Sequence, residues 1–178
     1  MARNVEIKAR VPDAQRFTQL CRRAQALAGG PPQTLQQDDA FFRCAQGRLK
    51  LRRFADGTAE LIAYARPDAA GPKTSTYQRV PVADADGLHA ALAAACGLVG
   101  RVRKRRLLLL SGRTRIHLDE VEGLGRFLEL EVVLREGEPA CDGIDEAEAL
   151  MATLGVDPGW LVEGAYLDLL ASGAGPAG

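Results

Sequence analysis

The sequence predicts an α+β domain in which an eight-stranded antiparallel β-barrel forms a tunnel with a charged lumen and helices pack outside. Eight segments alternate between apolar and polar residues with a period of two, which is the pattern of β-strands. Short connectors that contain glycine separate several of these segments, as in antiparallel hairpins. The polar faces are heavily charged, with lysine and arginine in the middle strands and glutamates in the first and last.

Most predicted strands have one apolar face and one polar face. The strands are predicted over residues 4–11, 34–44, 48–54, 59–66, 73–82, 101–110, 113–121 and 126–134. In the first strand, Val5 and Ile7 point one way while Glu6 and Lys8 point the other. The third, seventh and eighth strands alternate in the same manner, so one side of the sheet is apolar and the other charged.

Helices are predicted where apolar residues recur with a spacing of three or four. These segments cover residues 13–27, 84–96 and 145–154, and a shorter helix is predicted around 161–170. A Gly-Gly-Pro-Pro run follows the first helix, and Gly97 and Gly155 end the next two. Their apolar stripes would cover the apolar face of the sheet.

Two arrangements of the strands fit this alternation. One is an open sheet with helices on its apolar face and water on its charged face. The other is a closed barrel, which is favoured because the charges segregate by strand and because closure removes the two exposed sheet edges. A tunnel lined by many cations and a few carboxylates is costly unless a polyanion and a metal occupy it. The closed arrangement therefore specifies a triphosphate site.

The bulk properties indicate one domain with no general affinity for polyanions. The chain has 178 residues and a formal net charge of zero, so nothing global favours nucleic acid or an anionic membrane. The N-terminal residues contain no apolar signal core, and cytoplasm is the expected location. The domain is predicted over residues 1–171, followed by a disordered tail at 172–178. Four scattered cysteines are expected to be reduced thiols, and a monomer and a homodimer both stay open.

Two motifs carry a resemblance to a known family. The first strand, NVEIKARV, places Asn4, Glu6 and Lys8 where the family has E-x-E-x-K. The segment IHLDEVEGLGRFLELEV places Asp119 at a strand end, a G-L-G turn, and then Glu129 and Glu131 as E-x-E. With these motifs the chain resembles the CYTH superfamily, the triphosphate tunnel metalloenzymes, and in particular its class IV adenylate cyclase-like branch. Asn4 is a departure, because it replaces the first glutamate and carries no charge.

The resemblance implies roles for particular side chains. The implied metal ligands for Mg²⁺ or Mn²⁺ are Glu6, Glu129 and Glu131. The implied substrate-binding residues are Lys8, Lys50, Arg52, Arg66, Lys104, Arg106, Arg113 and Arg115. Lys8, Arg52 and Asp119 are the implied catalytic residues. His117 shares a face with Asp119, where it would assist proton transfer or serve as a hydrogen-bonded lumen residue.

The resemblance also implies an enzyme that acts on a small triphosphate, which could be ATP, thiamine triphosphate or tripolyphosphate. Attack by water would make it a triphosphatase, and attack by the ribose 3′-hydroxyl of ATP would make it a cyclase that forms cyclic AMP and pyrophosphate. A non-catalytic module that binds polyphosphate or nucleotide is the alternative, which the loss of a glutamate at Asn4 favours. A nucleic-acid patch at residues 101–106 is a further alternative, although no nucleic acid or membrane partner is expected of a neutral chain.

Overall fold

Strands and helices of a computed structural model account for most of the described residues, 1–173. The strands are β1 (Ala2–Val11), β2 (Gln33–Phe42), β3 (Arg48–Phe54), β4 (Ala59–Ala65), β5 (Lys73–Pro81), β6 (Leu98–Ser111), β7 (Thr114–Val121) and β8 (Gly125–Val133). The helices are α1 (Ala14–Leu27), α2 (Ala85–Cys96), α3 (Ala140–Leu154) and α4 (Tyr166–Ala171), with a short 3-10 turn at Pro158–Trp160. Of the predicted tail, residues 174–178 lie outside the described part.

The strands form one closed antiparallel barrel in the order β1-β5-β4-β3-β2-β6-β7-β8, with β8 paired back to β1. The prediction of a closed eight-stranded barrel is therefore confirmed. Closure rests on the pairing of the chain's first and last strands, in which Glu6 lies opposite Glu131 and Lys8 opposite Glu129. This register brings the two sequence motifs side by side on one wall.

Several element boundaries differ from the sequence prediction, among them the starts of β6, α3 and β7, and that of α4, which begins at Tyr166 rather than near residue 161. β6 begins at Leu98 because Gly97, with a φ of 83°, turns the chain directly out of α2 into the strand. α3 begins at Ala140, since its first turn lacks the apolar spacing on which the prediction relied. Arg113 belongs to the turn between β6 and β7, and β7 begins one residue later.

The outward faces of β1, β7 and β8 are largely apolar and lie beneath helices. Val5, Ile7 and Leu130 are fully buried in a cluster that α1 and α3 cover. α3 approaches β1 most closely at Gly143, where an added Cβ would lie 2.8 Å from a methyl of Val5. α2 covers a second cluster that contains Leu51. The inward faces are left to the polar and charged side chains, as the alternation predicts. No helix among residues 1–173 combines the length and apolarity needed to cross a membrane.

The chain after α3 crosses one end of the barrel. The backbone N–H of Val162 donates to the carbonyl of Lys8 at 3.0 Å, and the Tyr166 ring packs edge-on against Phe127 with centroids 4.9 Å apart. Beyond Tyr166, α4 lies against β6, where Gly100 leaves room for the side chain of Leu167. We call this the closed end of the tunnel, formed by residues 161–171. The opposite end, at the start of β1 and the end of β3, is the open end.

Candidate functional site

Side chains from all eight strands line a cavity of about 440 Å³ inside the tunnel. The cationic lining residues are Lys8, Lys50, Arg52, Arg66, Arg79, Lys104, Arg106 and Arg115. The acidic lining residues are Glu6, Asp39, Glu60, Glu129 and Glu131. Ala165 and Tyr166 complete the lining at the closed end. The structure therefore brings nearly all the site residues predicted from the sequence into one cavity, with an excess of positive charge.

Asp119 lies behind the side chains that line the cavity and binds two of the cationic ones. Its side chain is fully buried, and it accepts hydrogen bonds from Arg106 Nε at 2.7 Å and Lys104 Nζ at 3.1 Å. The Tyr166 hydroxyl donates to the same carboxylate at 3.0 Å. Burial opposes ionisation of Asp119, but Arg106 and Lys104 outweigh burial and hold the pKa of the carboxyl well below its ordinary value. Asp119 was predicted as a catalytic residue, and its geometry suits it to positioning the two cations.

Glu129 lies between cations from two different strands. Its carboxylate is 3.0 Å from Lys8 Nζ and 2.5 Å from Arg106 Nη2. Burial opposes its ionisation, yet these two cations hold the pKa of Glu129 well below its ordinary value. Burial also lowers the pKa of the neighbouring His117, as does Arg106, so the imidazole is neutral at pH 7. Glu129 is thus an anion surrounded by donors and faces a neutral histidine.

A divalent cation fits the wall formed by β7 and β8. Ligand atoms of His117, Glu129 and Glu131 all lie within 4.8 Å of one another. Nδ1 of His117 and the side-chain oxygen of Asn4 are buried without hydrogen-bond partners. Two carboxylate oxygens are donors that suit Mg²⁺ or Mn²⁺, and an imidazole nitrogen is the third ligand atom of the group. Glu6, the third predicted metal ligand, lies opposite Glu131 in the β1–β8 pairing, where its carboxylate is 2.6 Å from Arg66 and burial raises its pKa.

A second group of charges lies on β2 and β3. Asp39 accepts from Lys50 Nζ at 2.8 Å and from Arg52 through Nε and Nη2, each at 2.7 Å. This bidentate pair fixes the plane of the Arg52 guanidinium. Burial and the neighbouring Arg52 lower the pKa of Lys50 to about 7, although Asp39 opposes the shift. Lys50 is therefore a cation whose charge depends on what occupies the cavity.

We expect Lys50 to take up a proton when a triphosphate binds at pH 8. The free amine is mostly neutral above its pKa of about 7, and a nearby polyanion raises that pKa. Calorimetric titration of tripolyphosphate, repeated in buffers that differ in ionisation enthalpy, measures the protons taken up. Lys50→Arg is the control, since a guanidinium stays charged at both pH values. We expect wild type to take up as much as about one proton more than Lys50→Arg at pH 8, and no more at pH 6. Equal uptake by both proteins at pH 8 would contradict the assignment.

Two of the predicted substrate-binding arginines have partners that define their positions. Arg66 donates to the carbonyl of Gly164 at 2.7 Å and so ties the closed end to the site. Arg113 does not reach the lumen. It lies in the turn after β6, and its guanidinium binds Glu138 and Glu146 on the outside of the barrel, so it is excluded from the site.

Sequence reasoning missed several residues of the site, among them Gln37, Asp39 and Tyr166. Gln37 and Asp39 share the inward face of β2, but both faces of that strand carry polar residues, so alternation alone does not indicate them. Tyr166 sits within the weakest predicted helix, and its place under Lys8 and Lys104 depends on the path of the chain across the closed end. Nothing in the local sequence signals that path.

Comparison with known proteins gives a family and a set of similar structures. The model of the CYTH domain family matches residues 2–166. No curated protein gives a significant match. The PH1012 protein from Pyrococcus horikoshii OT3 is 21% identical with a TM-score of 0.81, and the alignment covers 93% of this chain and 98% of that chain. HpAC1 from Hippeastrum, an adenylyl cyclase candidate described as having a dominant triphosphatase activity, is 18% identical with a TM-score of 0.68 over 96% of each chain. The Mimivirus capping enzyme triphosphatase is 10% identical with a TM-score of 0.57, over 86% of this chain and 89% of that chain. At these identities the solved structures show a shared fold.

Proposed function

This chain belongs to the CYTH domain family, and from that premise we propose that it is a metal-dependent enzyme that cleaves a phosphoanhydride bond of a small triphosphate. The supporting observation is the convergence of cationic side chains and a possible metal group, His117, Glu129 and Glu131, in one cavity with a closed end. Charged groups enclosed in this way are costly without a polyanion between them.

The balance of charge supports a substrate that binds together with a divalent cation. Eight cationic and five acidic side chains line the cavity, an excess of three positive charges. The buried carboxylate of Asp119, behind the lining, reduces that excess to two. This excess falls short of the charge of a triphosphate, so a divalent cation is needed to complete the neutralisation.

Glu129, Glu131 and His117 would hold the metal, with Asn4 as a further oxygen donor. Once bound, the metal supplies Lewis-acid polarisation of phosphate oxygens and lowers the pKa of a nucleophilic hydroxyl or water. At position 4 on β1 the family motif has a glutamate, whereas this chain has Asn4, whose amide oxygen is an uncharged donor. The proposal therefore assigns the negative charge of the metal site to β8.

The chain's own cations would bind and orient the phosphates. Lys8 and Arg106 lie on either side of Glu129. On the opposite side of the lumen, Asp39 fixes the plane of the Arg52 guanidinium through two hydrogen bonds. A planar guanidinium donates two parallel hydrogen bonds to a phosphate, which fixes its orientation. Fixed donors stabilise the charge that spreads over phosphate oxygens in the transition state, without reorganisation during the reaction.

Two acceptors for the phosphoryl or nucleotidyl group are compatible with this cavity. Water as the nucleophile gives hydrolysis of the triphosphate, and the 3′-hydroxyl of ATP gives cyclic AMP and pyrophosphate. The reported triphosphatase activity of HpAC1 supports testing hydrolysis first. A binding module without chemistry is the competing function, because Asn4 removes one acid from the motif.

The decisive assay offers the purified protein ATP, thiamine triphosphate and tripolyphosphate, each with Mg²⁺, with Mn²⁺ and with a chelator. Phosphate, pyrophosphate and cyclic AMP are measured separately. We expect metal-dependent release of phosphate or pyrophosphate from at least one substrate and none with the chelator. Binding of the triphosphates without turnover under any condition would identify a binding module instead.

A further inference from the structure

A buried histidine nitrogen in the lumen has no partner within the protein. The chain has two histidines, and His117 is the one that lines the cavity. Its side chain is 4% exposed, and its Nδ1 is buried without a hydrogen bond. On its two neighbouring strands, His117 lies opposite Leu108 and Glu129. Leu108 offers no polar group, so a partner for this nitrogen must come from the side of β8 or from the lumen.

The carboxylates on β8 are near this nitrogen but are not hydrogen-bonded to it. Nδ1 lies 3.7 Å from Glu129 Oε2 and 3.8 Å from Glu131 Oε1, whereas N–H···O bonds span about 2.7–3.2 Å. The ligand atoms of the three residues all lie within 4.8 Å of one another. One ion in contact with all three would give the nitrogen of His117 the partner that it lacks.

The two carboxylates attract a hard cation less strongly than their charges alone suggest, because each has a cationic neighbour. Glu129 lies 3.0 Å from Lys8 and 2.5 Å from Arg106. Glu131 accepts a hydrogen bond from Arg115 at 3.3 Å. Mg²⁺ depends on the charge of its oxygen ligands, and these three cations offset that charge. The oxygen donors alone therefore form a weak site for Mg²⁺.

An imidazole ligand favours a different class of ion. Nitrogen ligands such as imidazole suit first-row transition ions, whereas carboxylates, carbonyls and water suit Mg²⁺. Mn²⁺ binds oxygen ligands as Mg²⁺ does, but it belongs to the transition series, in which affinity for nitrogen and oxygen sites rises from Mn²⁺ to Cu²⁺. The nitrogen of His117 therefore adds more to the binding of a transition ion than to the binding of Mg²⁺.

Resting on the proposed function, we propose that the ion of this site is a first-row transition metal ion rather than Mg²⁺, and that Nδ1 of His117 is the ligand that determines this preference. Glu129 and Glu131 supply the oxygen ligands. His117 then decides which metal the protein binds, and it has no part in proton transfer.

The test measures metal binding itself, with untagged protein and Mn²⁺ as the probe, both alone and together with tripolyphosphate. Electron paramagnetic resonance measures the free Mn²⁺, competition gives the affinity for Mg²⁺, and the pulsed form of the method detects a nitrogen nucleus bonded to Mn²⁺. Mn²⁺ also avoids interference from the four cysteines, because thiolates select softer ions. In wild type we expect the nitrogen signal and an affinity for Mn²⁺ at least about tenfold higher than for Mg²⁺.

Two substitutions of His117 separate its nitrogen from its bulk. His117→Phe keeps a planar ring without a ligand atom. We expect it to lose the nitrogen signal and to bind Mn²⁺ about 10- to 100-fold more weakly, with the affinity for Mg²⁺ within about threefold of wild type. His117→Glu offers oxygen instead of nitrogen, and we expect tighter binding of Mg²⁺ and a smaller preference for Mn²⁺. His89→Phe is the matched control, because this histidine lies on α2 against Phe42, outside the barrel, and we expect it to keep the wild-type signal and affinities.

The outcomes separate this proposal from the proposed function. Wild type without the nitrogen signal in both samples, or with equal affinity for Mn²⁺ and Mg²⁺, would overturn the role of His117, and turnover by the same protein would leave the enzyme. A nitrogen signal without turnover of any triphosphate would support the metal assignment and overturn the enzyme. Tripolyphosphate binding in a chelator shows that each variant is folded, and a folded His117→Phe that kept the preference for Mn²⁺ would also overturn the proposal.

Discussion

Glu129→Gln is expected to lower kcat/KM for the triphosphate substrate by about 100- to 1000-fold. The substitution keeps the size of the side chain and removes the negative charge that would hold a divalent cation. Glu129 also neutralises Lys8 and Arg106, which lie 3.0 Å and 2.5 Å from its oxygens. Without that competing anion, we expect tripolyphosphate to bind in a chelator at least as tightly as it binds to wild type. Turnover and binding should therefore change in opposite directions.

Glu122→Gln is the matched control for this substitution. Glu122 lies in the exposed β7–β8 turn, and its ion-pair partner is Arg103 at a distance of 3.7 Å. Removing its charge should leave kcat/KM within about twofold of wild type. If Glu129→Gln kept more than a tenth of wild-type activity, Glu129 would not be a metal ligand in an active enzyme. If wild type bound triphosphates without turning them over, the protein would be a binding module. Glu129→Gln would then change only the affinity for the anion.

Asp119→Ala is expected to reduce the free energy of unfolding by about 3–5 kcal/mol, because it leaves the buried Lys104 without its carboxylate partner and Arg106 with Glu129 alone. Arg106 and Lys104 both donate to this carboxylate, which is fully buried. The pKa of Asp119 lies below its value in an unfolded chain. Its stabilising effect is therefore present above about pH 4 and is lost as the pH falls below that value. The acid-induced loss of stability should be smaller in the variant than in wild type.

Urea denaturation at several pH values measures these effects, and Glu120→Ala is the control on the same strand. Glu120 forms an exposed ion pair with Arg105, which should contribute no more than about 1 kcal/mol. Tripolyphosphate should restore part of the stability of Asp119→Ala, because an anion can replace the missing carboxylate and stabilises the folded state that binds it. Equal losses in the two variants would mean that Asp119 does not balance the buried charge.

The alternation along the strands made the barrel and most of its lumen predictable. Along the middle of β1 and β8, charged inward residues alternate with buried apolar residues, so the side chains of Glu6, Lys8 and Glu129 could be assigned from parity alone. Arg113 shows the limit of that rule. It has the parity of Arg115, but it lies in a turn, where backbone alternation no longer decides the direction of a side chain.

Residues whose positions depend on distant segments could not be predicted. Asp39 follows Asp38 in β2, and composition alone does not tell which of the two acids faces the lumen and which binds Arg101 outside. Tyr166 reaches Asp119 only because the chain crosses the barrel after α3. His117 was considered for proton transfer, whereas its distances to Glu129 and Glu131 favour a role as a metal ligand. Each of these assignments needs a long-range contact.

The crossing of the chain over the barrel has a consequence for the order of events during turnover. Residues 161–171 lie across one end of the barrel, where Ala165 and Tyr166 line the cavity, so a substrate of the proposed enzyme would enter, and its products would leave, by the other end. Of the two products of the proposed reaction, the one nearer the open end would have to leave before the other could. The inner, phosphate-rich product would then leave last and would compete with fresh substrate more strongly than the other product. Its release at the closed end would require Tyr166 to move away from its neighbours.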